Sequence, residues 1–164
     1  MKTALAIVAL MVLGACNTTT NQPATPCAST HRGCETRGFA IRLKPGDDLR
    51  RTLEEFTARR QLRAAYVATC AGSLKVAAVR FADQEGATTL TGPFEIVSVT
   101  GTLSTDGPHL HISVSDASGR TFGGHLAEGS LVYTTAEVVI VELVGARFRR
   151  EIDPATSYKE LAVE

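Results

Sequence analysis

The sequence predicts an α+β domain: an antiparallel β-sheet with one main α-helix packed on it. Two observations carry this. Beyond residue 38 the chain runs in short segments of alternating apolar and polar residues, punctuated by Gly, Pro and Asp, the period-2 mark of strands joined by turns. One segment, residues 48–60, instead spaces its apolar side chains as a helix does, with Leu49, Leu53 and Phe56 on one side. One helix among many antiparallel strands covers one sheet face.

Residues 39–43 alternate and read as the first strand, which Pro45-Gly46 ends. Asp47 is placed to cap the helix and Asp48 to favour its first turn. Residues 63–70 and 74–81 read as two strands with a turn at Ala71-Gly72-Ser73. Cys70, in an apolar run, reads as a buried free thiol. Residues 87–91 make a short strand that Gly92-Pro93 breaks, and residues 94–103 make the next. Residues 131–133 form a short strand and residues 137–143 the most apolar one. Residues 147–152 and a last segment near Leu161 close the chain. Arg147, Arg149 and Glu151 share one face, as on a solvated strand edge.

Between these lies the segment that carries chemistry. In Pro108-His109-Leu110-His111-Ile112-Ser113-Val114-Ser115-Asp116 the histidines and serines point one way and the apolar residues the other. Asp116-Ala117-Ser118-Gly119-Arg120 follows, and suits a type I turn with Gly119 in the αL conformation of a three-residue loop. Counting back from that loop sets His111 opposite His125, with His109 on the same face. A two-residue loop would send His125 to the other face, and a bulge at Gly123-Gly124 would also change the count. Three imidazoles converging on one ion leave a fourth position open, the pattern of catalytic zinc. The alternative is a polar sheet face whose histidines bond to Ser113, backbone or water. A zinc-dependent enzyme of unknown substrate is a further reading, since bound zinc acidifies water. Glu128 and Glu137 are candidate bases for it, although surface charge or strand-tying hydrogen bonds explain them more simply. No nucleophile constellation is visible, so no catalytic residue is assigned.

The chain opens with Lys2, an apolar run too short to span a membrane, and Leu13-Gly14-Ala15-Cys16. This is a secretory signal over residues 1–15, and its end resembles the lipobox of bacterial lipoproteins. That resemblance implies cleavage before Cys16 and lipidation of it; an ordinary signal cut near Ala15 is the alternative. Asn17, not Asp, follows the cysteine, which in that family points to the outer membrane where the organism has one. The expected place is therefore the cell envelope, on a lipid anchor facing the periplasm. Residues 16–37 read as a flexible tether. Cys27 and Cys34 within it are placed for a local disulfide in an exported protein, and a metal site of Cys27, His31 and Cys34 lacks a second ligand pair. The 17 basic and 17 acidic side chains balance, Trp is absent and aromatics are 5%. Nucleic acid is an unlikely partner for such a surface, which lacks a basic stripe and stacking rings.

Six segments in order carry a wider resemblance: residues 43–48 (Leu-Lys-Pro-Gly-Asp-Asp), 69–74 (Thr-Cys-Ala-Gly-Ser-Leu), 92–98 (Gly-Pro-Phe-Glu-Ile-Val-Ser), 109–113, Gly123-Gly124-His125, and 134–140 (Thr-Thr-Ala-Glu-Val-Val-Ile). From residue 38 to 164 the chain resembles the PPC domain, named for plants and prokaryotes. The resemblance implies an antiparallel sheet with one helix, assembly as a homotrimer, and a metal site of His109, His111 and His125, with zinc the expected ion. Plant members carry AT-hooks and act in the nucleus, and many bacterial members are labelled DNA-binding by analogy. This chain has no Arg-Gly-Arg hook, and Pro93 stands where the plant partner-binding motif has Arg before Phe94. The plant role is therefore not carried over.

Overall fold

The computed structural model describes residues 33–164. The strands are β1 (Thr36–Leu43), β2 (Ala65–Arg80), β3 (Thr88–Leu103), β4 (His109–Ser115), β5 (Thr121–Leu126), β6 (Leu131–Leu143), β7 (Phe148–Ile152) and β8 (Lys159–Val163), with one helix, α1 (Leu49–Arg60). Six strands form an antiparallel sheet in the order β1-β6-β2-β3-β4-β5, and β7 and β8 form a separate hairpin. The sheet also closes on itself. β5 pairs with the end of β2 through Val79↔Leu126 and Arg80↔His125, so β2, β3, β4 and β5 make a ring around apolar side chains. Among the described residues no helix is long and apolar enough to cross a membrane.

The α+β expectation holds, and its corrections have local causes. β2 runs through Ala71-Gly72-Ser73 instead of turning there. Gly72 has φ +150°, and a Cβ on it would lie 2.1 Å from the Thr135 carbonyl oxygen; the glycine lets β6 approach rather than reversing the chain. β3 likewise runs through Gly92-Pro93. Thr91 faces Val76 and Phe94 faces Leu74, so two β3 residues oppose Lys75 alone, a bulge of the kind that tolerates proline. Residues 131–133 and 137–143 are one strand, β6. The tether ends earlier than expected, because Thr36 and Arg37 already pair with Leu143 and Glu142.

The helix cap is Asp48, not Asp47. Asp48 Oδ1 accepts from the Arg51 amide at 3.0 Å and Oδ2 from the Gly129 amide at 2.6 Å, while Asp47 closes the preceding turn by accepting from the Lys44 amide at 2.7 Å. The cap therefore also ties the start of α1 to the loop after β5. Leu49, Leu53 and Phe56 are buried against the sheet as their spacing requires. Cys70 is a buried free thiol, pushed up to about 12 by burial, so it stays protonated and unreactive. Cys34 is disulfide-bonded. Its expected partner Cys27 lies outside the described residues, as do His31, Cys16 and the expected signal peptide.

Candidate metal centre

One hairpin and the strand beside it build the site. The Gly119 amide donates to the Asp116 carbonyl at 2.9 Å, the Asp116 amide donates to the Arg120 carbonyl at 3.0 Å, and Gly119 sits at φ +80°. The Asp116 carboxylate accepts from the Ser118 hydroxyl at 2.6 Å and from Arg120 Nε at 2.9 Å. These bonds, Ser118 first, hold its pKa down to about 2. The loop has the three residues its composition predicts, and the ladder runs without a bulge from Ser115↔Thr121 to His111↔His125. The glycines that put that count in question serve close approach. A Cβ on Gly123 would lie 2.3 Å from the Ile112 carbonyl oxygen, and one on Gly124 2.5 Å from that of Arg80.

Directly opposed residues share a face. Thr100, His111, His125 and Arg80 therefore form one row across β3, β4, β5 and β2, with His109 two residues along β4. Leu110, Ile112 and Val114 on the opposite face are buried. The potential ligand atoms of His109, His111 and His125 all lie within 4.8 Å of one another. His109 and His125 stack with centroids 5.2 Å apart, and His111 meets each ring edge-on. Nitrogens bound tetrahedrally to zinc at about 2.0–2.1 Å would lie roughly 3.3–3.4 Å apart, so side-chain adjustment closes the gap. The donor set fits the ion. Neutral imidazole is the ligating form, and two of the rings are biased toward it. Partial burial, then the Arg150 charge and His111, lower the pKa of His109. Partial burial, then Arg80 and the other two histidines, lower that of His125.

The surroundings include residues that local patterns did not reveal. A cleft of about 1090 Å³ runs past His109 and His125 and is lined also by Arg50, Arg80, Arg150 and Glu160. Arg150 Nη2 lies 3.2 Å from His109 Nδ1 and donates to the Lys159 carbonyl at 2.7 Å. Arg50 Nη1 donates to the Leu126 carbonyl at 2.8 Å, beside His125. Alternation along β7 does put Arg150 opposite in face to Arg149, which reaches Glu164 at 3.0 Å, but nothing in the sequence says which face meets a histidine. Glu128 and Glu137 do not line the cleft. Glu128 is exposed after β5, and Glu137 sits across from Arg42 and Ala71 at the β1–β6–β2 end.

Known proteins share this architecture. A hypothetical protein of Salmonella cholerae-suis superposes with a TM-score of 0.79 at 44% identity, covering 82% of this chain and 98% of that one. A metal-containing protein of Archaeoglobus fulgidus superposes with a TM-score of 0.68 at 29% identity, covering 79% and 96%. The bifunctional protein GlmU of a Synechococcus strain is 47% identical over 128 residues, which are 78% of this chain and 21% of that protein. The chain thus spans about a fifth of that relative. The family profile of the Plants and Prokaryotes Conserved (PCC) domain, the PPC domain named above, matches residues 30–144. Its span takes in every strand of the six-stranded sheet and all three histidines, and on that match the chain belongs to the Plants and Prokaryotes Conserved domain family.

Proposed function

We propose that this chain is a lipid-anchored, trimeric zinc-binding module of the cell envelope, the ion held by His109, His111 and His125. The observation that carries the metal reading is the convergence of three ligand atoms within 4.8 Å on one hairpin face. Three imidazoles suit zinc and leave a fourth position open. Bound there, zinc supplies Lewis acidity and an acidified water. The protein's own part is to hold three neutral rings on a rigid ladder. Glu160 lines the cleft near His109, but no substrate is implied, and a binding module is the reading we adopt. The anchor rests on Leu13-Gly14-Ala15-Cys16, and the envelope location follows from it. The trimer rests on the family resemblance. Balanced charge and an export signal speak against nucleic acid as partner.

Zinc content tests the centre. The full chain, purified in detergent without a metal-affinity tag and loaded at neutral pH, should retain about one zinc per subunit by elemental analysis. His125→Ala leaves two ligands and should lose most of it, while folding survives because Leu110, Ile112 and Val114 are untouched. Retention below roughly a tenth of an equivalent by the wild type would refute the site. Wild-type zinc content in His125→Ala would do the same.

A further inference from the structure

We propose that the cleft beside the triad is a composite site for a small oxyanion, a carboxylate or a phosphate, gripped by the bound metal together with Arg80 and Arg150. This rests on the metal reading above and names the ligand class that the same site takes.

The first support is the state of the two arginines. Arg80 Nη1 donates to the Gln84 carbonyl at 3.2 Å. Arg150 Nη2 donates to the Lys159 carbonyl and meets the His109 ring. Among the described residues neither guanidinium has a carboxylate within ion-pair distance, whereas Arg37, Arg50, Arg59 and Arg120 each do. Two half-buried guanidiniums, Arg80 beside His125 and Arg150 beside His109, thus line the cleft with unpaired charge and unused donors. Guanidinium donors match carboxylate and phosphate oxygens in geometry as well as charge.

The second support is charge balance. Three neutral imidazoles contribute no negative charge, so a divalent ion keeps its full charge between Arg80 and Arg150. An anion at the fourth position offsets it. The cleft also holds Asp83, Glu85 and Glu160, which repel an extended polyanion and leave a small acid as the fitting ligand. Its volume, about 1090 Å³, is that of a small-molecule site.

The third support is the His109–Arg150 contact itself. Arg150 has only protons to offer, so His109 Nδ1 must accept and its proton sits on Nε2. If His109 binds metal through Nε2, the proton moves to Nδ1 and faces another donor. If it binds through Nδ1, the ion takes the lone pair that Arg150 uses. Either way, a metal held by His109 would break the contact and free one Arg150 Nη2 hydrogen in the cleft, while the other stays on the Lys159 carbonyl. Metal and anion are thereby coupled through one side chain.

Cobalt(II) in place of zinc gives a visible spectrum that reports ligands entering the metal's open position. The full chain in detergent, loaded with cobalt, is titrated with inorganic phosphate and separately with malonate, which tells a phosphate site from a carboxylate site. One of the two should shift the spectrum saturably. Arg80→Gln and Arg150→Gln should each weaken that anion about tenfold or more at unchanged metal stoichiometry, and Arg150→Gln should bind cobalt more tightly than wild type. Arg59→Gln, in α1's last turn, outside the cleft lining and with its own partner Glu55, should behave as wild type. If cobalt loads fully and neither anion perturbs it at roughly 10 mM, well above the micromolar to millimolar range of functional sites, the inference fails and the metal reading stands. Wild-type anion affinity in both arginine variants also overturns it. If cobalt does not load at all, the metal reading fails and the inference with it.

Discussion

His109 and His125 sit where charge is unwelcome, and that has a direct consequence for pH. Partial burial comes first for both, followed by Arg150 for His109 and Arg80 for His125, and each ring's pKa is lowered. In the unfolded chain the same rings protonate near the ordinary value of about 6.5. As pH falls through that value the unfolded state takes up protons that the folded state still refuses, so stability falls with pH until the folded rings protonate too. Above about 6.5 both states are neutral and these rings contribute no slope. The metal-free protein should therefore lose melting temperature on going from about pH 7 to pH 5, and replacing both rings in His109→Gln/His125→Gln should flatten much of that loss. A double variant with the wild-type slope would show that these rings are not its cause. Zinc adds to the same trend, because protons compete for the ligating lone pairs.

At the scale of elements, the centre depends on β5 being held from both sides. Gly124 lies where a Cβ would come within 2.5 Å of the Arg80 carbonyl oxygen, while Gly86, in a surface loop, has nothing within 4 Å of such a Cβ. Gly124→Ala must push β5 from β2 or twist it, and should cost on the order of 2 kcal/mol. It should also lower zinc affinity, since β5 carries His125. Gly86→Ala should change neither by more than a few tenths of a kcal/mol. Denaturant melts and zinc titration of the two variants check this, and equal behaviour would mean that the β2–β5 closure does not position the site. The same closure marks the limit of what was legible beforehand. Alternation along His109–Ser115 and the turn chemistry of Asp116 and Gly119 are local signals, and they placed His111 opposite His125 in the register that the ladder has. Gly72 and Gly92-Pro93 misled, because a glycine that admits a neighbouring strand and one that reverses the chain look alike in sequence. Asp47 and Asp48 were exchanged for a similar reason: adjacent carboxylates are both competent caps, and the choice fell to Gly129, 81 residues away. Arg80 and Arg150 reach the histidines only through long-range pairing and the β7–β8 hairpin, which no local period encodes.

On the scale of the whole molecule, the domain leaves apolar side chains in solvent, as a chain that assembles through its domains, the proposed trimer, would do. Val97, Tyr133, Ile152, Tyr158 and Val163 are each more than half exposed, and exposed apolar side chains that form a patch mark contact surfaces. One chain's lipid gives only marginal, reversible binding unless more than one acyl group is attached. Three anchored chains joined in one particle make release of all of them a rare joint event. In the proposed assembly oligomerisation and anchoring would therefore reinforce each other, and Cys16→Ser separates the two proposals. That variant should move to the soluble fraction and lack the acyl mass seen on the wild type. In free solution it should still sediment as a trimer at micromolar concentration if, as proposed, the folded domains themselves make the assembly. A Cys16→Ser chain that stays with the membrane refutes the anchor. A soluble variant that sediments as a monomer refutes the trimer and leaves the anchor to hold each chain alone, by however many acyl groups Cys16 carries.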